Sequence, residues 1–408
     1  MAMANSGSNA LLVTQYYRPE LIGSGPFCGD LAEYLTSEGD RVMVLAGLPH
    51  YPHSEIFPGY RDAPRRSETI NGLPVERVRS WIPRQRSALH RILSEADFLV
   101  RGAAALFAGR VTRQQLVISL CPSILAVALG IAATKSGGRH VAIVHDIQSG
   151  LAQGLRMAGA GLLGRAMRWC ERAVLNRVDV VVVLSAEMRS QLIANGVRSP
   201  IAVVPIWVDT EAIRPLPRPD GQPVRVLYSG NLGRKQGLGQ IVALAEELQR
   251  RGSPIEIILR GDGSQARDLA AEVAARRLGN VRFADLLPRE RLSEALAEGD
   301  IHLVPQEPEA AEFAVPSKVF GIMAAARPFV ATAYPASPLA RLRDASGAFV
   351  CVAPGDTSAL TEAVLSLAAD ADARIELGGR GRMFVEQYLA KPRVLGSFAR
   401  LLRTVGAP

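Results

Sequence analysis

The residues that could do chemistry lie in a few short loops. Gly23, Gly25 and Gly29 stand between an apolar run at 10–15 and a helical stretch. Glycines there let backbone N–H groups approach an anion at a helix N-terminus, and Tyr17-Arg18-Pro19-Glu20 lengthen the loop beyond an ordinary βα turn. Asn231, Gly233, Arg234, Lys235, Gln236 and Gly237 follow a second such run and lead into a helix from Leu238. Two cations at a helix start reinforce the positive end of its dipole, a cost that a bound anion relieves. Pro316-Ser317-Lys318 sets a hydroxyl and an ammonium before the helical stretch 319–325, although serine there is by default an N-cap. Two cationic helix starts in one half of the chain favour a diphosphate site. His145-Asp146 ends the apolar run 141–144 and reads either as a structural strand end or as a substrate-binding or catalytic pair.

Two other patterns carry less. Gly159, Gly161 and Gly164 spell GxGxxG, but no strand precedes them, so a dinucleotide fingerprint is not expected. Asp370 and Asp372 form a DxD at the end of an alanine-rich helix, where a solvated terminus is expected and no metal is predicted.

The elements that must position these loops alternate short β-branched runs with amphipathic helices, the pattern of parallel sheets covered on both faces. One series of strands is expected at 10–15, 41–46, 115–120, 139–145, 179–185 and 201–205. A second is expected at 224–229, 255–260, 280–284, 301–305, 329–332 and 348–352. Prolines 205, 215, 217, 219 and 223 place a linker between them. The fold class is therefore α/β, two doubly wound Rossmann-like domains facing a central cleft into which the carboxyl ends of the strands point. The first domain covers 1–206 and the second 207–391. A break at Lys391-Pro392 precedes a last helix, so 392–408 is expected to pack back on the first domain.

The 408 residues are 48% hydrophobic, too many and too apolar for a disordered chain or a single ordinary core. Four dispersed cysteines offer neither a disulfide scaffold nor a zinc spacing. The start MAMANSGSNA lacks a basic n-region, so no secretory signal is expected, and the apolar runs are too short to span a membrane. Of the formal charge of +8, residues 1–200 hold 22 Lys/Arg against 15 Asp/Glu. Arg84, Arg86 and Arg91 lie among Trp81, Leu89, Ile92 and Leu93, a mixture that suits an anionic lipid surface and otherwise reads as a solvated helix face. No zinc-finger, RNP or helix-turn-helix pattern organises the charge for nucleic acid, so no nucleic-acid partner is expected.

Several segments together resemble the GT-B glycosyltransferases, and within them the retaining family 4. They are Leu259-Arg260-Gly261-Asp262-Gly263, Asn280-Val281-Arg282-Phe283, 182–185 with 202–209, 300–305 and 316–331. Tyr16-Tyr17-Arg18-Pro19-Glu20, Leu48-Pro49-His50-Tyr51-Pro52 and Trp207-Val208-Asp209-Thr210 look most like the bacterial exopolysaccharide branch, the colanic-acid fucosyltransferase-like proteins. The resemblance implies a UDP- or GDP-sugar donor held mainly by the second domain and a lipid-linked saccharide acceptor at the first, in exopolysaccharide, O-antigen or capsule biosynthesis. It further implies retention, no metal or other cofactor, and a cytoplasmic protein peripheral to the inner face of the membrane.

By resemblance, Gly23 and Gly25 approach the donor phosphates and His145 or Asp146 the donor sugar. Ser317 and Lys318 lie by the diphosphate, and backbone near Arg260-Gly261 and Asp285-Leu286 holds the base. The chain departs from the family where an Arg and a Lys on the diphosphate align with Asn231 and Gln236. Of the family's two glutamates, one falls on Gly321 and the other near Phe313, with Glu312 its nearest substitute. Arg234, Lys235 and Lys318 are expected to supply the missing charge. Two other readings keep the fold: an inactive nucleotide-sugar-binding partner of a polysaccharide assembly, and a nucleotide-sugar epimerase that needs no acceptor.

Overall fold

The computed structural model describes residues 8–20, 23–50, 55–61, 67–83, 88–121, 123–147, 160–217, 223–233, 236–311 and 315–406. The chain divides into two compact units, 1–205 with 395–408, and 206–394.

The first unit is built on an eight-stranded sheet. Its strands are β1 (Asn9–Thr14), β2 (Arg41–Gly47), β3 (Ser67–Ile70), β4 (Leu73–Val78), β5 (Gln114–Cys121), β6 (Thr134–Val144), β7 (Val180–Val183) and β8 (Ile201–Val203). The order is β3-β4-β2-β1-β5-β6-β7-β8. All neighbours are parallel except the edge pair β3–β4, whose turn at Asn71-Gly72 has φ of +50° and +80°. That Asn-Gly hairpin is absent from the expected strands although its dipeptide marks it. Central strands such as β7 (Val-Val-Val-Val) are buried throughout, as strands covered on both faces must be. Helices α1 (Gly25–Ser37), α2 (Ala88–Phe107), α3 (Ile124–Ala133), α4 (Ala160–Leu175) and α5 (Ala186–Ala194) cover it. Ser123 and Ser185 cap α3 and α5 by accepting from Ala126 N and Met188 N.

The second unit has a six-stranded, wholly parallel sheet of order β11-β10-β9-β12-β13-β14. The strands are β9 (Arg225–Ser229), β10 (Glu256–Arg260), β11 (Val281–Ala284), β12 (Ile301–Val304), β13 (Phe329–Thr332) and β14 (Val350–Val352). Its helices include α6 (Gly239–Arg250), α7 (Ala266–Ala275), α8 (Leu292–Ala297), α9 (Lys318–Ala324), α10 (Pro338–Ser346), α11 (Thr357–Ala369) and α12 (Ala371–Phe384), while α13 (Lys391–Gly406) begins in this unit and belongs from Leu395 onward to the first. The chain leaves β9 toward β10 and returns to its other side as β12. Ligands in open parallel sheets bind at such a reversal, outside the carboxyl ends of the strands.

Three local expectations change. Gly25 and Gly29 fall inside α1 rather than in a loop, because Pro26 is accepted in the first helical turn and the helix starts early. The proposed linker is not free between the units. Val208 N donates to Leu389 O and Lys391 N to Val208 O, while Ile213 is buried in the second unit's core and Arg382 binds the carbonyls of Thr210 and Ile213. Prolines barred a helix there without preventing apolar side chains from packing. The last helix starts at Lys391, so the expected break at Lys391-Pro392 is its first turn, where proline is accepted. Arg403 reaches Glu38 of α1 at 2.8 Å, and Gly396 leaves room for Tyr34. Asp370 caps α12 by accepting from Ala373 N, so it serves a helix terminus.

Candidate active site

The densest convergence of candidate residues lies at the β9/β12 reversal of the second unit. The strand residue Tyr228 is fully buried and its hydroxyl donates to Asn231 O at 2.7 Å, with Gln236 Oε1 at 3.4 Å. The Lys318 side chain, arriving from the β12 side at the start of α9, sets its Nζ 3.8 Å from the centre of the Tyr228 ring. Nζ is shut off from solvent and has no hydrogen-bond partner among the described residues. Burial pushes its pKa down to about 7, leaving the ammonium poised to lose its proton. A buried amine resting on an aromatic face and facing a glycine backbone is a costly arrangement, and an anion would complete it.

The glycines explain how a ligand could come so close. A side chain at Gly230 would begin 3.2 Å from Lys318 Nζ. Gly261 has φ +153°, and a Cβ there would lie only 1.9 Å from Gly230 O. The turns after β9 and β10 therefore touch backbone to backbone, which also requires Leu232 N to donate to Asp262 O at 2.9 Å.

The side chain of Arg260 is committed elsewhere: it donates to Asp285 O at 2.5 Å and pairs with Glu298, which also holds Arg282. It braces the end of β10 against the turn containing Leu286, whose side chain is exposed. Ser317 sits at the start of α9 but makes no capping bond, so its default N-cap role is not used. Gly321 lies further along α9, where a Cβ would find only Ile213 and Leu296, both at 4.0 Å. Gly321→Ala should accordingly keep or raise stability, by about 0.5–1 kcal/mol, in urea unfolding. A loss exceeding that amount would contradict the space seen around it.

In the first unit the start of α1 meets His145. The Phe27 ring, in the first turn of α1, meets His145 edge-on at 5.6 Å. His145 N donates to Cys121 O at 3.0 Å, fixing the end of β6 beside that of β5, and Asp146 follows, exposed. Burial depresses the His145 pKa to about 4, so the ring is neutral near pH 7 and can take part in hydrogen bonds without carrying charge. Gly23, at φ +74°, precedes α1, and Gly25 packs against Glu20. The sequence marked Glu20 only as part of a lengthened loop; its buried carboxylate accepts Tyr17 N at 3.2 Å and His50 N at 2.9 Å, tying the loops after β1 and β2 together. Tyr228 was missed too, because an aromatic in a strand carries no chemical signature until its partners are known.

Arg91 pairs with the buried Glu95 at 3.6 Å, so part of its charge is spent internally. Arg84, Arg86, Arg234, Lys235 and Glu312 lie outside the described residues.

Two further histidines are buried, His140 on β6 and His302 on β12. Each is pushed down to about 4 by desolvation. The unfolded chain takes up protons on them near pH 6.5, whereas the folded chain refuses them until about pH 4. Stability should thus fall as pH drops through that window, by about 1–2 kcal/mol per histidine at pH 5. Urea midpoints that stay level between pH 7 and 5 would refute this.

The chain is thus a two-unit α/β protein with a buried, unpartnered amine at a sheet reversal, and comparison with known proteins gives its class. Residues 23–207 match the family described as "Glycosyl transferase 4-like domain" and residues 223–370 that described as "Glycosyl transferases group 1". WcaI, an Escherichia coli (strain K12) glycosyl transferase provisionally assigned to colanic acid biosynthesis, is 31% identical over 85% of this chain and 89% of its own. WbjE of Pseudomonas aeruginosa, provisionally named a glycosyltransferase, is 25% identical over 78% of this chain and 82% of its own. Among solved structures, sucrose-phosphate synthase from Thermosynechococcus elongatus superposes with a TM-score of 0.75 at 18% identity, covering 98% and 99% of the two chains. Anabaena HepE in complex with UDP and glucose does so with 0.70 at 14% identity, over 97% and 99%. The chain belongs to these glycosyltransferases, and its two Rossmann-like domains have the GT-B fold.

Proposed function

We propose that the protein moves a sugar from a UDP- or GDP-linked donor to a lipid-linked saccharide with retention of configuration, in the assembly of an exopolysaccharide, O-antigen or capsule. The observation that carries this reading is the unpartnered, buried Nζ of Lys318 at the β9/β12 reversal, where a donor diphosphate would meet it. Gly230, Gly261, Asn231, Gln236 and Ser317 supply backbone and polar contacts around that charge. Arg260, through its hold on Asp285, keeps the Leu286 turn in place for the base. The family resemblance assigns Gly23 and Gly25 to the donor phosphates and His145 and Asp146 to the donor sugar. Arg234 and Lys235 add positive charge, with Glu312 near the sugar.

Support for the biosynthetic setting comes from the provisional role of WcaI, and for a UDP-sugar from the ligands in the HepE complexes. In the reaction the bond from the anomeric carbon to the donor phosphate breaks as a bond to the acceptor oxygen forms on the same face. The acceptor's proton passes to the leaving diphosphate, so no protein nucleophile is used. Protein cations neutralise the developing phosphate charge, and neither metal nor other cofactor is needed. Among the described residues no helix is long and apolar enough to cross a membrane. The lipid anchor of the proposed acceptor would draw the enzyme, as a peripheral protein, to the inner face of the cytoplasmic membrane.

The test is transfer from a panel of UDP- and GDP-sugars to a membrane lipid extract, with and without chelator, and assignment of the product anomer by NMR. Retained configuration with undiminished rate in chelator is expected. An inverted product would overturn the mechanism. Donor binding without turnover would favour the inactive-partner reading, and an altered free nucleotide-sugar the epimerase.

A further inference from the structure

The first unit is apolar where solvent should meet charge. Helix α3 packs against both α2 and α4, so the three form one layer on the sheet. Gly102 of α2 lets Leu129 of α3 nest against its backbone, and Phe98 and Ala105 turn inward to the core. On the opposite side of α2, Leu89, Leu93, Val100 and Phe107 fall within about 40° of one another at the helical repeat. Their exposures are 63%, 49%, 65% and 90%. The stripe runs about 27 Å, the length of the helix between its ends.

The neighbouring helices continue the surface. Leu125 and Ala128 of α3 are only half-buried and Ala132 is exposed. Trp169 of α4 is 63% exposed, and Arg165, Arg168 and Arg172 lie within about 100° of it around the helix. Arg101, half-exposed beside the α2 stripe, is held by Asp97 at 2.8 Å. Residues 84–113 contain six arginines and only two acidic residues, of which Glu95 is buried.

We propose that the outer face of α2, α3 and α4 seats on an anionic lipid bilayer, its apolar ridge entering the headgroup layer while the flanking arginines meet lipid phosphates. This docking rests on the lipid-linked acceptor reading above and gives that reading a surface. Charge and shape favour a bilayer over a second copy of the chain. A two-fold pairing of this face would set arginines against arginines and ridge against ridge, whereas a bilayer supplies negative charge and yields around a convex helix. Apolar contact, rather than Arg84, Arg86 and Arg91 alone, then dominates, so part of the binding survives high salt.

The experiment is flotation of the full chain with vesicles of phosphatidylcholine alone and of phosphatidylcholine mixed with phosphatidylglycerol. The wild type is expected to float with the mixed vesicles. A Val100→Ser, Phe107→Ser double variant should lose about tenfold or more in partition, with its donor-induced thermal stabilisation unchanged. Wild-type protein that stays below both vesicles, or a double variant that floats equally well, would overturn the proposal. So would a wild-type dimer in sedimentation that the double variant dissolves, because the face would then be a protein interface. Flotation without any donor-induced stabilisation would sink the donor reading and leave this surface standing.

Discussion

Lys318→Met should weaken donor binding roughly 30- to 100-fold at pH 6.5, the cost of removing one charge-assisted contact from a buried site. Methionine keeps the aliphatic stem over Tyr228 and removes only the charge. The wild type should also show a pH dependence that the variant lacks. The empty site holds Lys318 near a pKa of about 7, because burial opposes its charge. A bound diphosphate favours the charged form and lifts that pKa toward its ordinary value. Below pH 7 the free protein is already protonated and affinity is greatest. Above it, binding must take up a proton, and affinity should fall by up to about tenfold per pH unit. His302, the titratable neighbour that feels the Lys318 charge, is neutral throughout this range. The phosphates of a nucleotide-sugar do not titrate near neutral pH and its base loses a proton only near pH 9, so calorimetry between pH 6 and 8 reads the lysine. Equal affinity in wild type and variant, or a level profile in the wild type, would remove Lys318 from the donor site. Thermal stability of the empty variant should hold or rise, because an unpaired buried amine is gone.

The second large effect concerns the backbone contact behind that lysine. Gly261→Ala places a methyl 1.9 Å from Gly230 O, at a φ of +153° that side chains rarely adopt. Neither atom can give way, because both belong to turns pinned by Gly230 N to Arg260 O and Gly261 N to Ala284 O. The turns after β9 and β10 must separate, at a cost of about 3 kcal/mol or more. Because Lys318 Nζ lies against Gly230, the same movement should abolish donor binding even in molecules that remain folded. Urea unfolding reads the first loss and calorimetry the second. A Gly261→Ala protein with wild-type stability and affinity would mean that the two turns do not hold the site, and Gly321→Ala provides the permissive comparison on the same unit.

The sheets were legible because parallel strands buried on both faces write continuous β-branched runs. Phe329–Thr332 begins and ends as expected, and the remaining expected strands shift mostly by one to a few residues at their ends. The β3–β4 hairpin was not read, though Asn71-Gly72 announces it, because its edge strand Ser-Glu-Thr-Ile is polar and short. Burial of Val208 and Ile213 was hidden by surrounding prolines, since proline reports what the backbone cannot do and not what the side chains touch. At the site, Lys318 and Gly261 were visible as residue types at helix and strand ends. Their partners were not: Tyr228 is 90 positions from Lys318, and only the sheet reversal brings β9 and β12 side by side. Arg260 was legible as a position, yet its commitment to Glu298 and Asp285 depends on folds of the chain that no local pattern encodes.

In the proposed reading the β9/β12 reversal holds a nucleotide diphosphate through Lys318. The measurement that tests it most directly is thermal unfolding of the wild type and of Lys318→Met across UDP- and GDP-sugars and the bare diphosphates. A ligand at about 100 times its dissociation constant stabilises by about 2.7 kcal/mol. One base should therefore raise the wild-type midpoint clearly and leave Lys318→Met nearly unmoved. No shift with any of them, or the same shift in both proteins, would contradict it.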